Sequence, residues 1–253
     1  MYDKVLFSLM ALSIGISSTV SIFVRDELQS LSENIFVLFV LLFYIIFYIR
    51  TSHKRDLFLY STRLGLSLYF LYAYISFTMG RKFHQVYTLD LITVIPIFIF
   101  TIESFKLVSA CTFPSNVIPN PKLFGYHLVV TSALVALSWL SMLIPFSITG
   151  DYPDVVNEYK EAAVATFFKD VAIVCPLVIY VGVGLVTGRT WSFVYAISTY
   201  VFLIPLTMLV LIITFVQYTE GWDMPLAPVI GSVLVPLISC GFAWKYFVNF
   251  RKN

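Results

Sequence analysis

Apolar stretches of about 20 residues, the length of one helical bilayer crossing, recur from Val5 almost to the C-terminus, separated by short islands of charge. No water-soluble fold accommodates that pattern. Hydrophobic residues make up 59% of the chain and charged residues only 12%, too little polar side chain to coat a soluble globule. The expected class is all-α: a polytopic transmembrane helical bundle.

In order, the runs predict about eight spans. They are Val5–Val24, Ile35–Ile49, Leu57–Met79, Leu89–Ala110, Leu123–Ile148, Ala162–Val186, Trp191–Val216 and Leu226–Val248. The second is short and is completed by Arg50 snorkelling into the headgroups. The first follows only Met-Tyr-Asp-Lys and ends without an Ala-x-Ala-like site, so it reads as a retained span. Residues 1–253 form one transmembrane domain. The Pro- and Asn-rich connection Thr112–Lys122 divides it into four-span halves, 1–111 and 123–253. Both halves start on the same side, so a repeat between them would be parallel.

Loop charges set the orientation. With the N-terminus inside, the inner loops and tail carry Arg50, Lys54, Arg55, Lys122, Arg189, Lys245, Arg251 and Lys252. The outer loops carry Asp26, Glu27, Glu33, Asp151, Asp154, Glu158, Glu161, Glu220 and Asp223, with Arg81 and Lys82 the concentrated exception. Both termini are therefore expected to be cytoplasmic. Trp191 and Trp244 near the inner boundary and Trp222 near the outer one fit interfacial anchors.

Within the spans, Pro96, Pro176, Pro205 and Pro236 remove backbone donors and are expected to kink their helices. Ser13, Ser17 and Ser21 repeat every fourth residue, as do Gly184 and Gly188; such faces suit close helix contact. The stripe Phe36, Phe39, Phe43 and Phe47 suits a lipid- or neighbour-facing surface.

Ionisable residues inside spans carry the most functional weight, because each is costly unless paired or wet. One expected cluster is Arg63, Glu103 and Lys106. Folding the third and fourth spans about His84 brings Glu103 opposite Gly65, within about one turn of Arg63, so Glu103 is expected to pair with Arg63 and secondarily with Lys106. Asp90, Lys169 and Asp170 form an outer-side group, in which Asp90 and Lys169 are level enough to pair.

Other chemistry finds little support. Cys111, Cys175 and Cys240 lack metal-ligand spacing. His53, His84 and His127 fall near span ends and are not placed as haem ligands. No His-Glu-x-x-His, Gly-x-Ser-x-Gly or Gly-rich phosphate loop occurs, and no basic run interleaves with stacking aromatics as nucleic-acid binding requires. Neither catalytic residues, a metal nor a cofactor is expected. Arg81-Lys82-Phe83, Tyr87-Thr88-Leu89-Asp90 and Pro96 resemble the linker and third helix of voltage-sensor domains. The following segment lacks the basic residues at every third position that sense voltage, so that family is not assigned.

We therefore expect a non-enzymatic integral protein of the plasma or inner membrane, a channel or transporter component for an ion or small solute. Its expected partners are membrane lipids and further copies of itself or a membrane complex. The alternative is a membrane-embedded sensor or scaffold subunit that docks a cytoplasmic protein on its basic inner face.

Overall fold

The computed structural model describes residues 2–24, 28–51, 56–79, 86–111, 120–150, 165–221 and 226–251. Among the described residues the secondary structure is helical, without strands. Among the described residues eight helices follow one another: α1 (Tyr2–Val24), α2 (Leu28–Thr51), α3 (Leu57–Met79), α4 (Tyr87–Ser109), α5 (Pro121–Thr149), α6 (Ala165–Val186), α7 (Thr190–Thr219) and α8 (Leu226–Arg251). Six of them (α1, α2, α4, α5, α6 and α7) are long and apolar enough to cross a membrane.

The two exceptions have different origins. Helix α3 has 23 residues, but Arg63 and many Ser, Thr and Tyr side chains dilute its hydropathy. It can carry them because most of its surface is covered by protein rather than lipid. In α8 the described side chains begin at Val233, and Val233–Val248 alone is an apolar helix shorter than a full crossing. Helix α2 begins at Leu28, not near Ile35, so Glu33 lies in the helix and is buried, not in an outer loop. Helix α1 likewise takes in Asp3. Arg25–Glu27, Ser52–Arg55, Gly80–Gln85, Thr112–Pro119, Asp151–Val164 and Trp222–Pro225 lie outside the described residues, and with them most of the loop charges that set the expected orientation.

Side-chain contacts fix the helix directions. Phe7 stacks on Tyr48 and Gly15 faces Leu41, so α1 and α2 are antiparallel. Tyr44 bonds the Arg63 carbonyl while Phe36 meets Tyr69, making α3 antiparallel to α2. Helices α3 and α7 run parallel, since Gly65 meets Ser198 and Val201 and Tyr72 meets Phe202. The start of α3 meets the end of α8 through Phe58 and Phe247. The start of α1, the end of α2, the start of α3 and the end of α8 thus share one end of the bundle, here called the basal end.

Helices α1 to α4 close a ring of neighbours, α1–α2–α3–α4–α1, and α5 to α8 close a second, α5–α6–α7–α8–α5. The rings join chiefly where α3 packs on α7, with α2 also against α7. Two close crossings need glycine. A Cβ on Gly65 would lie 2.5 Å from the Ser198 carbonyl oxygen, and one on Gly125 2.5 Å from that of Gly182. The Gly184–Gly188 pair serves differently: Gly184 packs on Ser192 and Trp191, and Gly188 turns the chain into α7 at φ 71°.

The polarity is inverted relative to a soluble protein. Exposed side chains include Phe39, Phe43, Ile95, Phe98, Leu134 and Leu177, whereas Ser17, Asn34, Asp90 and Lys169 are buried. Lipid-facing bundles show this arrangement, because their outer solvent is hydrocarbon. The phenylalanine stripe of α2 follows it, with Phe39 and Phe43 exposed and Phe36 and Phe47 half-buried.

Candidate functional site: a buried polar layer

The half of the bundle away from the basal end contains a polar layer crossing six helices. On α6, Phe168–Val174 form a π-helical segment that carries Lys169 and Asp170 and leads into Pro176. Cys175 N–H bonds the Asp170 carbonyl, five residues back. Such π-bulges recur at functional sites, where they redirect side chains that α geometry would aim elsewhere. Pro176 therefore sits at a π-to-α junction, while α4, α7 and α8 continue through Pro96, Pro205 and Pro236.

Asp170 is held at both oxygens. The Tyr72 hydroxyl donates to Oδ1 at 2.8 Å and the Trp139 indole N–H donates to Oδ2 at 3.0 Å. Lys169 is only 4% exposed. Its ammonium donates to Ser76 Oγ and lies 4.3 Å from the centre of the Tyr72 ring. Among the described residues no carboxylate lies in ion-pair range of Lys169. Glu33 of α2 stands within electrostatic reach of Lys169, Tyr69 and Tyr72, and accepts a 3.0 Å hydrogen bond from Gln29 Nε2.

The layer continues toward α1 and α4. Ser17 donates to Asp90 Oδ1, Ser18 bonds the Tyr74 hydroxyl at 2.9 Å, and Tyr74 reaches the Ile14 carbonyl. The Ser13–Ser17–Ser21 face thus turns partly inward: Ser17 and Ser21 are buried, and Thr93 of α4 reaches the Ser13 carbonyl at 3.4 Å. Asp90 bonds Ser17, and Lys169 bonds Ser76; although level enough to pair, Asp90 and Lys169 do not meet, because α1 lies against α4. Ser21 Oγ, Asn34 Oδ1 and the Tyr69 hydroxyl are buried without hydrogen-bond partners. Buried polar atoms of this kind call for water. Among the described residues the layer therefore holds three carboxylates (Glu33, Asp90 and Asp170) and one lysine.

Toward the basal end the interior becomes aromatic. Tyr44 stacks on Phe70 and meets Phe100, which also contacts Phe7. Beyond this plug lies the second charge site. Arg63 forms a two-pronged ion pair with Asp3 of α1, with Nη1 donating to Oδ2 at 3.0 Å and Nη2 to Oδ1. Tyr48 donates to the same carboxylate at 3.2 Å. The guanidinium carbon sits 5.4 Å from the Tyr48 ring centre and 5.1 Å from that of Phe100.

The expected Arg63–Glu103 pair is not formed. Glu103 pairs instead with Lys106, one turn along the partly exposed side of α4, at 2.8 Å. Asp3 displaces it as the arginine's partner because α1 lies against α2 and α4 and brings its first turn over Arg63. His127 is also more than an interfacial residue. It is buried with Nδ1 3.2 Å from the Tyr200 hydroxyl and Nε2 3.4 Å from Ser239 Oγ, and its ring stacks on Phe242. His53 and His84 lie outside the described residues.

Among the described residues no group of three or more His, Cys, Asp or Glu side chains could hold a metal ion. A groove of about 1010 Å³ between α1 and α2, lined by Phe7, Ala11, Gly15, Leu41 and Ile45 with Lys4 at one end, opens on the exterior. No protein-family model, curated protein or solved structure matches this chain.

Proposed function

We propose that this protein is an integral membrane transporter or channel component that moves a cation or small solute through the buried polar layer. One observation carries the reading: among the described residues Glu33, Asp90 and Lys169 are buried, with Asp170 partly buried beside Lys169, in a bundle whose outer surface is hydrocarbon-like. Placing such groups in a membrane interior is costly, and bundles that keep them use them as ion paths or as structural pairs. The Asp3–Arg63 pair is a structural pair. In the polar layer Lys169 bonds a hydroxyl and not a carboxylate, and the orphaned Ser21, Asn34 and Tyr69 atoms favour a wet interior.

In this reading all eight helices cross the membrane, α3 shielded by its neighbours. Exposed Lys4, Arg50, Lys106, Lys122, Arg189 and Lys245 all fall at the basal end, which supports a cytoplasmic basal end with both termini on that side. The two four-helix rings are the moving parts of a transport cycle, rocking about the α3–α7 contact as parallel halves do. Lipids cover the exterior in a plasma or inner membrane, and copies associate there as an oligomer. The basic basal face also favours a second reading, a scaffold that docks an acidic cytoplasmic protein.

Flux assays on purified protein in sealed liposomes separate the two. Movement of a cation or small solute above that of protein-free vesicles, reduced in an Asp90→Asn/Glu33→Gln double variant, supports transport. Impermeable vesicles, with a soluble protein co-purifying in stoichiometric amount, would favour the scaffold.

A further inference from the structure

We propose that the groove between α1 and α2 is a binding site for an anionic glycerophospholipid, with an acyl chain lying along the groove and the phosphate meeting Lys4 at the basal end. The site goes beyond the transport reading and stands whether or not anything crosses the polar layer.

The groove follows from the sequence of α1. On the face turned toward it, Ser8, Ala11, Gly15 and Thr19 recur at three- and four-residue spacing. Small side chains therefore fall one above another and leave a trough. Behind the trough the two helices stay in contact: Phe7 stacks on Tyr48 with ring centres 3.7 Å apart, and a Cβ on Gly15 would lie 3.9 Å from Leu41. Leu12 and Ile16 of α1 and Ile49 of α2 stand exposed along the edges. The lining is mainly apolar, and its one charged side chain is Lys4.

Dimensions narrow the choice of occupant. From Lys4 to Val20 the trough runs about 24 Å at 1.5 Å per residue, most of the way across a hydrocarbon core about 30 Å thick. Its volume of about 1010 Å³ over that length gives a cross-section of about 40 Å², half that of a helix about 10 Å across. It is too narrow to take in a transmembrane helix and wide enough for hydrocarbon chains.

Charge narrows it further. Asp3 and Lys4 leave the first turn of α1 about 100° apart. Asp3 turns to Arg63 and Tyr48, so its charge is already answered. Lys4 is exposed at the mouth of the groove, and among the described residues no carboxylate lies in ion-pair range of it. Arg50, also exposed, follows Ile49 in the last turn of α2 at the same end. Lysine lays its methylene stem along apolar surface and carries its ammonium to the headgroups, where a phosphate supplies the missing countercharge. A second copy of the chain does not supply it. In a dimer about an axis along the membrane normal, equal residues stand at equal depth, and α1 against α1 would oppose Lys4 to Lys4.

Photolabelling of the whole protein in phosphatidylcholine nanodiscs tests the site. The probe is phosphatidylglycerol with a photoactivatable diazirine on one acyl chain; phosphatidylcholine with the same chain is the reference, and labelled peptides are located by mass spectrometry. The phosphatidylglycerol probe should label the groove-facing segments of α1 and α2 about fivefold or more above the reference, the factor one basic residue contributes near an anionic headgroup. Lys4→Gln should remove that preference and Lys4→Arg keep it. Gly15→Phe and Ser8→Trp, which fill the trough at two levels, should each cut labelling there while leaving labelling at exposed Leu134 of α5 unchanged. All variants are compared as monodisperse, folded protein; Ser8 is exposed, so its replacement leaves the core intact. Equal labelling by the two probes, a preference that survives Lys4→Gln, or full labelling in the filled variants would overturn the proposal. So would a groove that neither probe reaches, the result expected where another protein helix covers it.

Discussion

Replacing Asp3 with Ala should destabilise this protein more than replacing the arginine it binds. The Arg63 side chain is 8% exposed and that of Asp3 46% exposed, so the two partners stand on opposite sides of the bundle surface. Loss of Asp3 leaves a buried guanidinium between Tyr48 and Phe100 with its Nε already lacking a partner. Breaking a fully buried pair costs about 3–5 kcal/mol. Because water reaches Asp3 and screens part of the attraction, we expect about 1–3 kcal/mol here. Arg63→Met leaves only a carboxylate that water can solvate, and the new side chain still fills much of the aromatic slot. It should cost less than Asp3→Ala, and the double variant should be more stable than Asp3→Ala alone. Reversible unfolding in mixed detergent micelles, compared across the four proteins as a double-mutant cycle, measures all three terms. Equal or greater loss in Arg63→Met, or strictly additive losses, would refute the pairing as described.

Other outcomes follow from the same packing. Gly65→Leu should force α3 and α7 apart and lower thermal stability by about 1–3 kcal/mol or more, as overpacking does, whereas Gly221→Ala, with nothing within 4 Å of its added Cβ, should act only through its backbone. Ser17→Leu should disturb folding or assembly, visible in yield and size-exclusion profile, because the residue is fully buried and bonds Asp90. Cysteines placed at Arg189 and Glu220, the two flanks of α7, should react with impermeant reagents from opposite sides of the membrane, Arg189 from the cytoplasm.

What could be read from the sequence was mostly what hydrocarbon dictates one helix at a time. The apolar runs located the helices, and four-residue spacing picked out Ser17 and Ser21 as packing residues. The cost of a buried charge drew weight to Lys169 and Asp170. Which helices meet is a tertiary fact, and there single-helix reasoning stopped. Asp3 looked like part of a short hydrophilic tail, and only the placement of α1 beside α2 and α4 brings it to Arg63. Glu33 followed Asp26 and Glu27 in an acidic island and so read as loop, although it stands one turn after Gln29 on α2 and bonds it. The Gly125–Gly182 crossing had no repeat in sequence, because each helix contributes a single glycine. Trp139 fell inside an apolar run, where nothing in the pattern marks an indole N–H that will bond a buried carboxylate.

Solvent access to the polar layer tests the central claim most directly. In protein whose Cys111, Cys175 and Cys240 have been replaced by alanine, single cysteines are introduced at Gln29, Glu33 and Tyr44, and a small membrane-impermeant thiol reagent is added to one side of sealed vesicles at a time. Gln29→Cys and Glu33→Cys should react from the side opposite the basal end only, and Tyr44→Cys, behind the aromatic plug, should not react from that side. No reaction at Glu33→Cys from either side while Gln29→Cys reacts, or equal reaction at Glu33→Cys and Tyr44→Cys from that side, would contradict a water-accessible layer closed toward the basal end.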